Sequence, residues 1–190
     1  MSQHAFTKKT ILAAAVICFA AASGAFAQGF GPYAKPKDPP KPAGLAKEDV
    51  DFMQKAAIGG MLEVELGKLA QQRGTQDTVK KFGSRMAQDH AKSGEELKKL
   101  AATKGVALPT ALDRKHRKVV DDLTKSGRFD HEYMEYMVKD HKEDIKAFEK
   151  EANSGKDADV KAFASKTLPT LQEHLKLAET TGSAIKAAKK

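Results

Sequence analysis

Apolar residues recur at every third or fourth position through four long segments of the chain, while lysines and acids fill the positions between them. This spacing is typical of amphipathic helices that bury one face. Gly74, Gly105 and Gly155 follow three of these segments and indicate helix ends. A shorter amphipathic segment lies between the second and third, with Thr110 as its expected cap. The pattern therefore predicts long helices over residues 46–73, 77–104, 129–152 and 157–185, and a short one over 110–125.

The connections between these helices indicate how they pack. Short connections join the first helix to the second and the third to the fourth, so each pair should form an antiparallel hairpin. The connection between the hairpins is long and contains its own helix, so it can return along the bundle and leave the second and third helices parallel. We therefore predict an all-α fold, a ferritin-like four-helix bundle with a long crossover; a five-helix bundle without the crossover is the alternative. Pro169 removes an amide donor from the fourth helix, and a kink is expected there.

The start of the chain has the pattern of a signal peptide. A basic segment precedes a short apolar run, and residues 25–27 (Ala-Phe-Ala) match a signal-peptidase site. We therefore expect residues 1–27 to be a cleaved signal peptide and the protein to be exported to the periplasm. Residues 28–45 contain five of the seven prolines and are predicted to be a linker. Residues 46–187 then form one domain.

The formal net charge of +8 does not by itself indicate a nucleic-acid partner. Basic and acidic residues interleave, and no aromatic residues accompany the basic ones, so binding to nucleic acid is not expected. The densest basic patch covers residues 114–118 and is either a solvated face or a surface for weak association with the anionic envelope or outer membrane. The only cysteine, Cys18, falls in the predicted signal peptide, so the mature domain has no thiolate nucleophile or metal ligand.

One ionisable side chain lies on the apolar stripe of each long helix. Counted from the tight turns, the two groups of each predicted hairpin lie at similar heights, so all four fit in one layer of the bundle. Three imidazoles and one carboxylate suit zinc, copper, nickel or iron better than magnesium or calcium. The candidate metal ligands are Glu63, His90, His141 and His174.

An acid directly precedes each of these histidines. Neighbours on an ideal helix point about 100° apart, so the acids are expected to support ligands on neighbouring helices rather than to bind the metal themselves. These acids are Asp89, Asp140 and Glu173. A di-iron centre is disfavoured, because it requires a glutamate three residues before a histidine on each of two helices. The residues at those positions are Ala87, Val138 and Leu171.

Two functions from different classes fit these patterns. The first is an exported bundle protein that binds one transition-metal ion in a Glu/His layer at its core. The second is a metal-free structural or stress-related interaction module of the cell envelope, in which the same groups form a polar network. The chain has no nucleophile-elbow serine and no glycine-rich phosphate loop, so the sequence does not favour an enzyme.

Several sequence motifs occur in a characteristic order along the predicted helices. They are segments 56–70, Phe82 to Met86, Asp89-His90, 107–109, Phe129-Asp130 with Tyr133, 137–141, Leu168-Pro169 and His174-Leu175. Together they resemble DUF4142, an exported bacterial family of unknown function. The resemblance covers about residues 46–185 and implies a ferritin-like helical bundle, usually behind a signal peptide, in the periplasm or associated with the outer membrane. It implies no established activity. The recurring motif positions of the family correspond to Glu63, Asp89, His90, Asp140, His141 and His174.

Overall fold

The structure is a computed structural model that describes residues Gly44–Ala187. The predicted signal peptide and residues 28–43 of the predicted linker lie outside the described residues. Within the described part every regular element is a helix, which confirms the predicted fold class. None of these helices is long and apolar enough to cross a membrane. The helices are α1 (Lys47–Arg73), α2 (Asp77–Lys104), α3 (Arg114–Lys125), α4 (Phe129–Ser154) and α5 (Ala158–Ala187).

The short helix α3 begins later than the sequence pattern predicts. Its cap is Asp113, whose carboxylate accepts a hydrogen bond from the backbone amide of His116 at 2.9 Å. The expected cap at Thr110 is therefore wrong. Gly105 ends α2 with a φ of 68°, and the chain up to Asp113 is irregular as it leaves that helix. An aspartate at the N-cap satisfies an amide in the first turn of the helix, which stabilises a start at that residue.

Two buried aspartates fix the direction of the helices. Asp130, at the start of α4, accepts hydrogen bonds from the backbone amides of Thr75 and Gln76, at 3.0 and 2.9 Å, in the α1–α2 turn. Asp49, at the start of α1, accepts two backbone amides of the α4–α5 turn at 2.9 and 2.8 Å. The start of each hairpin therefore lies at the turn of the other, so α1 and α4 run antiparallel and α2 and α4 run parallel. This confirms the crossover and excludes the five-helix alternative.

We call α1 with α2 the first hairpin and α4 with α5 the second hairpin. Across the bundle α1 packs on α4 and α2 packs on α5, while α3 lies on α1 and α4. The backbones of the first hairpin approach closely at Gly67 and Gly83, since a Cβ added to Gly67 would lie 2.5 Å from the carbonyl oxygen of Gly83. Any side chain there would push α1 and α2 apart.

The core consists of two apolar clusters. The first lies towards the α1–α2 turn and includes Leu66, Phe82, Tyr133 and Met137. The second lies towards the opposite end of the bundle. Its buried members include Phe52, Leu97, Phe148, Phe163 and Leu171. On α2, α4 and α5 the candidate ligand falls in the sequence where one cluster gives way to the other, whereas on α1 Glu63 directly follows Leu62, a member of the first cluster. A polar layer therefore separates two apolar halves of the bundle.

Helix α5 contains Pro169 and continues through it to Ala187. The proline lies five residues before His174, on the part of α5 that packs in the second cluster. The kink expected at this position stays a prediction.

Candidate metal centre

The four candidate ligands meet in the polar layer between the two clusters. Glu63, His141 and His174 are completely buried, and His90 is 7% exposed. The centroids of the three imidazole rings are separated by 5.3, 5.4 and 5.8 Å. One ring nitrogen from each histidine lies within 4.8 Å of those of the other two. The helical spacing that placed each group on an apolar stripe therefore also brought the four together.

Glu63 lies between two of the histidines. Its Oε2 is 2.8 Å from Nδ1 of His90, and its Oε1 is 3.3 Å from Nε2 of His141. Despite these distances, neither contact has the geometry of a hydrogen bond, and both carboxylate oxygens are buried without a hydrogen-bond partner. The same is true of Nε2 of His90, Nε2 of His141 and Nδ1 of His174. Five buried polar atoms of the layer are thus unsatisfied, and native proteins rarely leave such atoms unpaired.

The second ring nitrogen of two histidines is held by the protein. Nδ1 of His141 lies 3.0 Å from the carbonyl oxygen of Met137, to which it can only donate. Nε2 of His174 lies 2.8 Å from the carboxylate of Asp89 and donates to it. These bonds assign the proton to one nitrogen of each ring and leave a lone pair on the other. Metal-binding histidines are commonly oriented in this way by a carbonyl or carboxylate.

Burial sets the protonation states of the layer. It lowers the pKa of His90 and of His174 to about 4, and it also lowers the pKa of His141. All three rings are therefore neutral near pH 7, with lone pairs free for coordination. Burial raises the pKa of Glu63 to about 8, although the nearby His141 opposes this rise. The carboxyl of Glu63 consequently keeps its proton at neutral pH unless a cation lies beside it.

The three acids that precede the histidines have different surroundings. Asp89 contacts His174 on the neighbouring helix, as the sequence predicted. Glu173 does not reach a histidine; its two oxygens accept from the guanidinium of Arg85 at 3.0 and 2.9 Å. Arg85 also donates to Asp89 at 3.2 Å, so Glu173 supports His174 only through this chain of contacts.

Asp140 lies beside Glu63 instead of beside a histidine nitrogen. One oxygen from each of Glu63, Asp140 and Asp144 lies within 4.8 Å of the other two. The sequence analysis missed Asp144 and Arg85. Both lie four residues from an acid of an acid–histidine pair, on the same face of the helix, and this spacing could have identified them.

This donor set fits a transition-metal ion. Three neutral imidazoles and one carboxylate, each on its own helix, form a set of the kind found in mononuclear zinc, copper, nickel and iron sites. The two oriented rings would need no change of tautomer to coordinate. The layer contains no thiolate and no charged lysine or arginine that would compete with a cation.

Solved structures similar to this chain are helical bundles. A DUF305 fragment from Deinococcus radiodurans superimposes with a TM-score of 0.65 at 12% identity, over 74% of this chain and 98% of that one. CopM in the Cu(I)-bound form gives a TM-score of 0.60 at 15% identity, over 70% and 93% of the two chains. CopM in the Cu(II)-bound form gives 0.59 at 13% identity, over 72% and 96%. At these identities the likeness establishes the fold alone.

No curated protein sequence matches the chain significantly. The family model described as a domain of unknown function, DUF4142, matches residues 34–181, which is most of the chain and includes all four residues of the polar layer. The order of motifs noted in the sequence had indicated the same family, and this match confirms it. The chain therefore belongs to the DUF4142 family.

Proposed function

We propose that this protein binds a single transition-metal ion through Glu63, His90, His141 and His174. The observation that carries the proposal is the group of five buried atoms without hydrogen-bond partners, all belonging to these four side chains. Each of the five is an oxygen or a nitrogen that can coordinate a metal. A bound ion would satisfy an arrangement that is costly without one.

The charges of the layer favour a cation over a metal-free network. A network could stabilise ionised Glu63 only with a protonated histidine, but burial keeps all three rings neutral. Without a metal, Glu63 must hold a proton in the core. A divalent ion would replace that proton and use the lone pairs of the rings at the same time, so binding should release about one proton near neutral pH.

Copper is the first metal to test. CopM shares the bundle fold and is a protein whose structures hold Cu(I) and Cu(II). The three imidazoles also suit zinc, nickel and iron, and ligand type alone does not choose among them.

An ion can reach the layer from one side of the bundle. A groove of about 560 Å³ lies between α1, α2 and the connection that follows α2. Gly60, Ala91 and Gly94, which have small side chains or none, line it together with His90. His90 is also the only one of the four ligands with exposed surface. These features give a metal site the access path that it requires.

Metal content tests this proposal directly. The full chain, purified without a polyhistidine tag and stripped with a chelator, is loaded with copper or zinc and measured by elemental mass spectrometry. We expect one tightly bound ion per chain. Glu63→Gln and His174→Ala should each weaken metal binding by about a hundredfold or more. Each change removes a ligand, which should cost more affinity than removing a group that only orients a ligand. Glu65→Gln and His131→Ala are matched controls outside the layer and should bind normally.

Two results would contradict the proposal. One is an absence of bound metal after loading with either ion. The other is metal binding of equal affinity in the controls and in the variants of the polar layer. Either would favour the alternative, a metal-free structural or stress-related module of the envelope.

We also propose that the protein is exported to the periplasm through a signal peptide over residues 1–27. The support is the sequence pattern, together with the DUF4142 resemblance. The basic patch at residues 114–118 offers weak attraction to an anionic outer-membrane surface, although Lys118 is paired with Asp122 at 2.7 Å. Intact-mass measurement of the periplasmic fraction should find a chain that begins at Gln28. Recovery of the uncleaved chain only from the cytoplasm would contradict export.

A further inference from the structure

A second group of potential ligands lies against the histidine layer and contains only carboxylates. Asp140 and Asp144 are one helical turn apart on α4, and both are half-buried. Glu63 reaches them from α1, so that one oxygen of each of the three residues lies within 4.8 Å of the other two. Glu63 therefore joins the two groups, since its oxygens also lie 2.8 Å from Nδ1 of His90 and 3.3 Å from Nε2 of His141.

A cluster of acids alone does not make a binding site, but Glu63 adds an independent observation. It is completely buried, and neither of its oxygens has a hydrogen-bond partner. A carboxylate at the surface would satisfy these oxygens with water, whereas this one faces two further carboxylates. Its unpaired oxygens are consistent with a cation between the acids.

A small cavity lies beside two of the three acids. Its volume of about 20 Å³ corresponds to one water-sized occupant, and Glu63, His90 and Asp144 line it together with apolar side chains such as Phe148. Asp140 does not line this cavity. Gly59 faces Asp144: a Cβ added there would lie 3.9 Å from Oδ2 of that residue.

The charges around Asp144 are not compensated by the protein. The charged groups that act on it are Glu63, Asp140 and Glu143, all of them acids. Neither aspartate forms a salt bridge with a residue in the described part of the chain. A surface network would normally include a lysine or arginine at such a cluster.

We propose that Glu63, Asp140 and Asp144 form a second cation site, for a hard divalent ion such as Mn²⁺, next to the histidine site and sharing Glu63 with it. Oxygen-only ligands favour manganese, calcium or magnesium, whereas imidazoles favour copper and zinc. The protein thus presents two sites of different ligand chemistry joined by one carboxylate. The carboxylate site shares Glu63 with the proposed copper or zinc site but does not require that site to be filled.

Binding of Mn²⁺ can be followed through the electron paramagnetic resonance signal of the free ion. The full chain, tag-free and chelator-stripped, is titrated with Mn²⁺ alone and again after loading with zinc. We expect one manganese ion per chain that the double variant Asp140→Asn/Asp144→Asn weakens by about tenfold or more. Glu143→Gln, the adjacent exposed acid, is the matched control and should bind as the unmodified chain does. His174→Ala should weaken zinc binding and leave manganese binding intact.

The possible failures of the two proposals are distinguishable. Zinc binding without manganese binding would overturn the carboxylate site and leave the histidine site standing. Manganese binding without zinc or copper binding would overturn the histidine site and leave the carboxylate site standing. Manganese binding that persists in the double variant would also overturn the carboxylate site, because the ion would then lie elsewhere. Asp144→Asn alone, at a half-buried position, repeats the test with a smaller perturbation, and circular dichroism verifies the fold of each variant.

Discussion

The two hairpins are built on the same plan and differ at the residues that matter for chemistry. Each begins with an aspartate, Asp49 or Asp130, that accepts backbone amides from the turn of the other hairpin. Each has an inward polar group in the middle of its first helix. Each has an acid followed by a histidine in the middle of its second helix. These shared features produce the fold, and the residues that differ between the hairpins make the polar layer asymmetric.

The second helices show how one residue changes the role of its neighbours. Asp89 and Glu173 both precede a histidine, but Asp89 contacts His174 while Glu173 binds Arg85. Four residues before Asp89 stands Arg85, and four residues before Glu173 stands Pro169. Only the first hairpin therefore has a cation one helical turn before its acid, and that cation, Arg85, binds both Asp89 and Glu173.

The first helices differ in charge at the centre of the bundle. The inward group is an acid, Glu63, in the first hairpin and a base, His141, in the second. An acid and neutral bases in one layer are donors of two kinds, whereas two identical hairpins would have placed like groups together. The difference between the two hairpins therefore gives the layer both a carboxylate and imidazoles.

The largest expected effect comes from removing the aspartate with which each hairpin binds the turn of the other. Replacing Asp49 or Asp130 with alanine removes at least two hydrogen bonds to a buried carboxylate and leaves turn amides unsatisfied. We expect each change to lower the free energy of unfolding by about 2–4 kcal/mol. Urea denaturation followed by circular dichroism measures this. A loss below about 0.5 kcal/mol for both variants would contradict the role assigned to these residues.

A smaller effect should separate the two acids of the acid–histidine pairs. Asp89→Asn removes the carboxylate that orients His174 and should weaken copper or zinc binding by about 10–100-fold. Glu173→Gln changes an exposed contact and should alter binding much less, because that residue touches no ligand. Competition titration with a chromophoric chelator measures both variants. Equal losses in the two would show that Asp89 has no special role.

The smallest effect concerns the pH dependence of the metal-free protein. His90 and His174 have pKa values lowered to about 4, so their contribution to stability is complete above about pH 6.5 and is lost as the pH falls through 4. Glu63 has a pKa raised to about 8, so its contribution is complete below about pH 4.5 and is lost as the pH rises through 8. For these three groups together, stability should be greatest near pH 6.5, and the raised pKa values of Asp140 and Asp144 move this maximum to lower pH.

The alkaline side of this profile tests Glu63. Between pH 6.5 and 8 the loss from Glu63 is at most about 1.4 kcal/mol per pH unit. Glu63→Gln should reduce the loss of stability between pH 6.5 and 8. It should leave the acidic part of the stability profile unchanged, because that part depends on the histidines. Glu65→Gln, an exposed control on the same helix, should change neither part. A Glu63→Gln profile that coincides with that of the unmodified chain would contradict the raised pKa.

Much of the fold could be predicted because the helical pattern is local. Apolar spacing gave the four long helices, and connection lengths gave the hairpins and the crossover. The start of α3 was predicted wrongly, because Thr110 and Asp113 are both good caps and the path of the connection decides between them. The candidate ligands were identified because an ionisable residue on an apolar stripe is conspicuous in a sequence.

The sequence by itself determined that this protein is an α-helical bundle with one inward polar group on each long helix. Periodicity suffices for that, since it reports which face of a helix is buried. Only the tertiary structure decided which groups touch. Contacts such as Asp89 with His174 and Glu63 with Asp144 join residues that lie far apart in the chain, and their distances depend on how four helices pack. For the same reason, only packing revealed that Glu63 lies beside two histidines, His90 and His141, and close to two aspartates, Asp140 and Asp144.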